Sequence, residues 1–122
     1  MAINVLIVDD LAFIKIVLRD ILEKSGFRVI GEASNGEEAI RLYVEKRPDV
    51  VLMDITMPGM DGLTALRRIR EADPAARVII CSALGQQKLI VQAIQLGAKD
   101  FIVKPFQPMR IVTALKKVLN IA

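Results

Sequence analysis

The sequence has no histidine, no tryptophan and one cysteine among its 122 residues, and each absence removes a class of chemistry. Without histidine the chain can form neither a Ser-His-Asp nor a Cys-His relay, holds no histidine-ligated metal and carries no phosphohistidine of its own. The lone Cys81 allows neither a disulfide framework nor a four-thiolate zinc site. Four Phe and one Tyr leave aliphatic side chains to supply most of the core. No apolar stretch reaches the roughly 18 residues of a membrane span, and the start lacks the basic-then-apolar pattern of a signal peptide. A soluble, cytoplasmic protein with no membrane partner is expected.

What is present suits one globular domain over residues 1–122: 53% hydrophobic and 25% charged residues, enough apolar content for a core. The net charge of +3 is carried by scattered Lys and Arg, without a basic run or interleaved aromatics. Nucleic acid is therefore not expected as a partner.

Apolar runs alternate with helical patterns along the chain. Ile3 to Val8 reads as a buried parallel strand, and Leu11 to Lys24 as a helix with apolar Phe13, Ile16, Val17, Ile21 and Leu22. Phe27 to Ala33 is a weaker strand, interrupted by Arg28 and Glu32. Ser34 with Glu37 fits a capping box opening a helix toward Lys46. Asp49 to Met53 is a third strand, and Gly62 to Ala72 a helix capped by Asp61. Arg77 to Cys81, Gln86 to Leu96, Asp100 to Val103 and Pro108 to Leu119 complete the alternation, with Gly97 stopping the fourth helix. Five strand–helix units predict an α/β doubly wound five-stranded parallel sheet with helices on both faces. The ending Leu119-Asn120-Ile121-Ala122 has no linker character, so no output domain is expected.

Open parallel sheets bind ligands beyond the carboxyl ends of their strands. There the sequence places Asp9-Asp10, Asp54, Ser82 and Lys104-Pro105. Singly, each is an ordinary cap or strand end. Together, three carboxylates and an ammonium form a pocket for a hard divalent cation such as Mg²⁺, since two like charges about 4 Å apart cost on the order of 4 kcal/mol at an effective dielectric of 20. A carboxylate beside Mg²⁺ and a lysine is equipped for phosphoryl transfer. A phosphohydrolase of the haloacid dehalogenase type shares the Asp nucleophile and Mg²⁺, but wants a second Asp two residues on, where this chain has Thr56.

The blocks Val8-Asp9-Asp10, Met53-Asp54-Ile55-Thr56-Met57-Pro58-Gly59-Met60-Asp61-Gly62, Cys81-Ser82-Ala83 and Val103-Lys104-Pro105-Phe106 resemble the receiver domain of two-component response regulators across essentially the full chain. Within that family the chain is similar to the stand-alone chemotaxis members, on Ser82-Ala83-Leu84-Gly85-Gln86-Gln87 and Lys104-Pro105-Phe106-Gln107-Pro108. The resemblance implies a flavodoxin-like (βα)5 fold of strand order 2-1-3-4-5. It implies Asp54 as phosphoacceptor, and Mg²⁺ held by Asp10, Asp54 and the Thr56 backbone carbonyl, with Asp9 acting through water and Mn²⁺ or Ca²⁺ as substitutes. Lys104 and Ser82 would contact phosphoryl oxygens, and a cis peptide would precede Pro105. Ser82 and Phe101 would form the switch, with Phe standing where many relatives have Tyr.

The implied partners are a chemotaxis histidine kinase, a flagellar motor switch protein or another phosphate-dependent protein partner, and a phosphatase, with the chain itself a monomer. It would be a phosphoacceptor switch rather than an enzyme, phosphorylating itself from small acyl phosphates and dephosphorylating itself. Thr56 and Leu84, at positions governing water attack, imply a long-lived phosphoprotein. Phosphorelay intermediate, or receiver excised from a transcription factor, are the alternative readings.

Two further features are the residues' own. On the fourth helix, Leu89, Ile90, Val91, Ile94 and Leu96 spread over an arc of about 220°, wider than the roughly 100° that one core face needs. Part of that helix should meet solvent, a partner or a second copy in a dimer; the resemblance implies an output face on the fourth helix, fifth strand and fifth helix, with Leu89, Ile90, Ile94, Phe101 and Arg110. Setting aside Asp9, Asp10, Asp54 and Lys104 leaves 16 basic and 11 acidic residues, a body of +5 around an acidic pocket that could steer an anionic donor. Lys15 and Arg19 are candidates for kinase docking, against the plainer reading of a solvated helix face.

Overall fold

The computed structural model describes residues 2–121; Ala122, part of the expected linker-free ending, lies outside them. Among the described residues five strands, β1 (Asn4–Val8), β2 (Arg28–Ala33), β3 (Val50–Asp54), β4 (Val78–Ser82) and β5 (Asp100–Val103), alternate with five helices. These are α1 (Ala12–Lys24), α2 (Gly36–Lys46), α3 (Gly62–Ala72), α4 (Gln87–Gln95) and α5 (Pro108–Leu119). The strands form one parallel sheet in the order β2-β1-β3-β4-β5, as expected.

The pleat sends successive side chains to opposite faces, and the two cores follow that parity. Leu6, Val8, Val51, Met53, Val78 and Ile80 pack under α2, α3 and α4 with Leu42, Leu66, Ile69 and Ala93. Val5, Ile7, Val50, Leu52, Ile79, Cys81 and Ile102 pack under α1 and α5 with Leu18, Leu22, Ile111 and Leu115. Strands β1, β3 and β4 read as unbroken apolar runs because both their faces are covered. Strand β2 tolerates Arg28 and Glu32 because it is a sheet edge; Glu32 pairs with Arg19 across to α1 at 2.6 Å.

Several expectations shift. Asp49 stands just outside β3, its N–H donating to the Asn4 carbonyl at 2.9 Å and its carboxylate accepting from the Asn4 N–H at 2.7 Å; the strand runs on to Asp54. The α2 cap is Asn35, whose side chain accepts from the Glu38 N–H at 2.8 Å, while Glu38 Oε1 accepts from the Ser34 N–H at 2.7 Å. The cap thus lies one residue later than Ser34, and Glu38 reaches back past the N-cap to Ser34. On α1, Phe13 and Ile16 face solvent, 71% and 68% exposed. Rotation by 100° per residue explains it: with Leu18 at zero, Leu22, Ile14 and Ile21 fall within 60°, whereas Phe13 and Ile16 lie about 140° and 160° away. Asp61 caps α3 as expected, accepting from Thr64 N–H at 2.8 Å.

Candidate functional site

Sheet parity continued past the strand ends puts Asp9, Asp54 and Lys104 on the face shared with Ile7, Leu52 and Ile102. There Lys104 Nζ donates to Asp9 Oδ2 at 3.1 Å and to Asp54 Oδ2 at 3.2 Å. Asp9 is 1% and Asp54 5% exposed, so this ammonium is the main compensation for two nearly dry carboxylates. The remaining oxygens are engaged too: Asp9 Oδ1 accepts from the Leu11 N–H at 2.9 Å, and Asp54 Oδ1 from the Thr56 N–H at 3.1 Å. The Lys104–Pro105 peptide is cis, as the resemblance implied.

Burial pushes the Asp54 carboxyl above its ordinary range; the Thr56 N–H and the Lys104 charge oppose the rise, and the Asp9 charge adds to it. Lys104 is opposed by burial, but Asp9 and Asp54 outweigh that and raise its pKa. The Cys81 thiol, paired across the ladder with Asp54, is pushed up to about 12 chiefly by burial. It is a core side chain and not a nucleophile.

Asp10 completes the cluster. One oxygen each from Asp9, Asp10 and Asp54 lie within 4.8 Å of one another. Oxygen-only donors of this charge fit a hard divalent cation retaining waters, and nothing soft competes for it. The residues present fit Mg²⁺.

Gly62 explains how β3 and α3 meet here. A Cβ at this position would stand 2.5 Å from the Asp54 carbonyl oxygen and 2.6 Å from Ile55 Cα. Only glycine lets the Gly62 N–H reach the Ile55 carbonyl at 3.0 Å, which seats the first turn of α3 against the end of the strand that carries Asp54.

Ser82 is not drawn into the carboxylate cluster. It is fully buried, and its hydroxyl has no hydrogen-bond partner, a costly state for a buried donor. Its parity is that of Ile80, so it lies on the α4 side of the sheet together with Phe101. Leu89 and Phe101 are half-buried against that core. A cavity of about 360 Å³ lies between α4 and β5, lined by Ile90, Val91, Phe101 and Leu84 among others. Ile94, Val91 and Leu84 are exposed, by 45%, 55% and 81%, so α4 does keep an apolar face outward. Arg110 is held along β5, donating to the Phe101 carbonyl at 2.6 Å and to Asp100 Oδ1 at 3.3 Å. Of the two candidate docking charges, Lys15 donates to Ser34 and Arg19 pairs with Glu32. Leu11, Phe13 and Ile16 form a second exposed apolar set, following the Asp9-Asp10 pair in the chain; the 100° rotation per residue, not apolarity alone, is the signal for the two on α1.

Comparison with known proteins agrees with this geometry. The family model for the response regulator receiver domain matches residues 5–116. The chain is 57% identical over 115 residues to the chemotaxis protein CheY of Thermotoga maritima, covering 94% of this chain and 96% of that one. Identity to the CheY of Bacillus subtilis is also 57%, over 120 residues, covering 98% and 100%. Among solved structures, a CheX–CheY–BeF3–Mg²⁺ complex from Borrelia burgdorferi superposes with TM-score 0.90 at 44% identity, covering 94% of this chain and 87% of that one. With the acidic rim, the lysine and the sheet order all in place, the chain belongs to the response regulator receiver domain family and is closely related to the CheY chemotaxis proteins, a phosphorylation-activated type of switch.

Proposed function

We propose that Asp54 accepts a phosphoryl group and that the chain then signals by phosphate-dependent protein binding in chemotaxis. One observation supports this above the rest: Asp54 is buried at the switch point of the sheet, held by Lys104 at 3.2 Å and within 4.8 Å of two further carboxylates. Mg²⁺ at Asp10, Asp54 and the Thr56 carbonyl, with Asp9 through water, would neutralise charge on the transferring phosphoryl group; Mn²⁺ or Ca²⁺ would substitute.

The chain's own residues do the rest. The Asp54 oxygen forms a bond to phosphorus as the donor's P–N bond, or the P–O bond of a small acyl phosphate, breaks. The donor's electron pair leaves with its imidazole or carboxylate. Lys104 already lies between Asp9 and Asp54, so it keeps its place beside the new oxygens without reorganisation. The Thr56 N–H orients the attacking carboxylate. Ser82 gains an acceptor for its orphaned hydroxyl, which biases the α4–β5 side where Phe101 sits. The donor is external, since the chain has no histidine: a CheA-like histidine kinase or a small acyl phosphate. The output partner is a flagellar motor switch protein, a phosphatase resets the switch, and the setting is cytoplasmic.

Borohydride tests the site directly, because it reduces an aspartyl phosphate to homoserine. After treatment with acetyl phosphate and Mg²⁺, peptide mapping should find homoserine at position 54. Homoserine in place of Asp9 or Asp10 instead would contradict the assignment.

A further inference from the structure

The end of β4 carries an open position in the sheet ladder. Parallel pairing runs from the Ile55 N–H to the Cys81 carbonyl at 3.0 Å, so the next bond in register would run from the Ala83 N–H toward Ile55. That bond is replaced. The Ile55 carbonyl takes the Gly62 N–H at 3.0 Å, and the Ala83 N–H donates to Gln86 Oε1 at 2.7 Å.

Gln86 is an unusual residue for this task. It occupies the N-cap of α4, yet its side chain caps nothing in the helix and turns back across the loop. The intervening Gly85 has φ +89°, which lets three residues close this loop on a side chain. Two consecutive donors therefore follow Cys81, the ladder partner of Asp54: the Ser82 hydroxyl, without a partner, and the Ala83 N–H, held by a side chain that can swing away.

We propose that Gln86 is a positioning residue that latches the β4–α4 loop in the unphosphorylated state. The ladder register directs the Ala83 N–H toward Ile55, the residue after Asp54, and a phosphoryl group on Asp54 reaches that donor by displacing the Gln86 amide oxygen. The claim rests on Asp54 being the acceptor. Gln86 also lines the apolar cavity with Phe101 and Ile90, so its release alters the wall of that cavity when the rim is filled.

The test compares wild type, Gln86→Leu and Gln86→Glu. Leucine keeps the bulk and removes the acceptor; since glutamine does not cap α4, the helix loses nothing. Two readings are made on the full chain: amide exchange of Ala83 without ligand, and affinity for beryllium trifluoride with Mg²⁺ as a phosphoryl stand-in. A latch of ordinary hydrogen-bond strength corresponds to about a 3- to 10-fold effect. Gln86→Leu should speed Ala83 exchange and tighten beryllium trifluoride binding by that factor. Gln86→Glu, a stronger acceptor, should keep Ala83 protected and weaken binding. Faster Ala83 exchange with unchanged affinity in Gln86→Leu overturns the latch alone, as does unchanged exchange. No binding by wild type, with Mg²⁺ shown to bind, overturns the assignment of Asp54 and the latch together.

Discussion

Lys104 is the side chain whose loss the site should feel most before any phosphorylation. Replacing it with methionine keeps the length of the side chain and deletes the charge between Asp9 and Asp54. Those carboxylates then face each other with oxygens within 4.8 Å, both nearly buried. At an effective dielectric of 20 two unit charges at that distance repel by about 3.5 kcal/mol. Partial protonation and side-chain rotation relieve some of it, so a loss of about 2–3 kcal/mol is expected at pH 7 without metal. For a domain of this size that lowers Tm by roughly 10 °C. Urea denaturation followed by circular dichroism, with EDTA or with saturating Mg²⁺, measures it; tryptophan fluorescence cannot serve, because there is none. A divalent cation supplies the charge that Lys104 supplied, so Mg²⁺ should recover most of the deficit. A Lys104→Met variant as stable as wild type in EDTA, or a deficit indifferent to Mg²⁺, would refute the reasoning.

Gly62→Ala should cost about 2–3 kcal/mol by urea denaturation, because the new methyl meets the Asp54 carbonyl and Ile55 Cα, backbone atoms that cannot swing aside; wild-type stability would mean α3 can shift freely. Away from the site, the Tyr43 hydroxyl donates to Asp73 at 2.7 Å, and burial followed by that bond pushes the phenol up to about 12 from 10.0. A raised folded pKa favours the protonated form, so its stabilisation is complete below pH 10 and is lost as pH rises toward 12. Tyr43→Phe should therefore be less stable than wild type by about 1 kcal/mol at pH 8, with the difference shrinking as pH rises above 10; a constant difference would contradict the cause given. The exposed Thr56 and the apolar, 81% exposed Leu84 offer little to orient an attacking water, so the phosphoprotein should persist in Mg²⁺ buffer. Loss of the phosphoryl group within seconds, read by intact mass, would contradict that.

The fold was legible because its central strands are covered on both faces: Val5 to Val8 and Val50 to Met53 show as runs that only a buried parallel sheet accommodates. The site was legible because its members sit at the ends of those runs, where Asp9, Asp54 and Lys104 converge as soon as the strands are placed side by side. Boundaries moved by a residue at element ends. Asp49 bonds Asn4 through both its N–H and its carboxylate just outside β3, and Asn35 rather than Ser34 caps α2. Phe13 and Ile16 misled because apolarity was read without its angle, while Leu18 and Ile14 define the true inner stripe. The bond from Ala83 to Gln86 depends on the Gly62 N–H claiming Ile55, a long-range fact that no local pattern contains.

Intact mass after incubation with acetyl phosphate and Mg²⁺, beside EDTA and Asp54→Asn controls, tests the central claim most directly. A single phosphoryl adduct that requires both Mg²⁺ and Asp54 is the expected result. An adduct that survives EDTA or the Asp54→Asn substitution, or none at all while Mg²⁺ is shown to bind, would contradict the assignment of Asp54 as the phosphoacceptor.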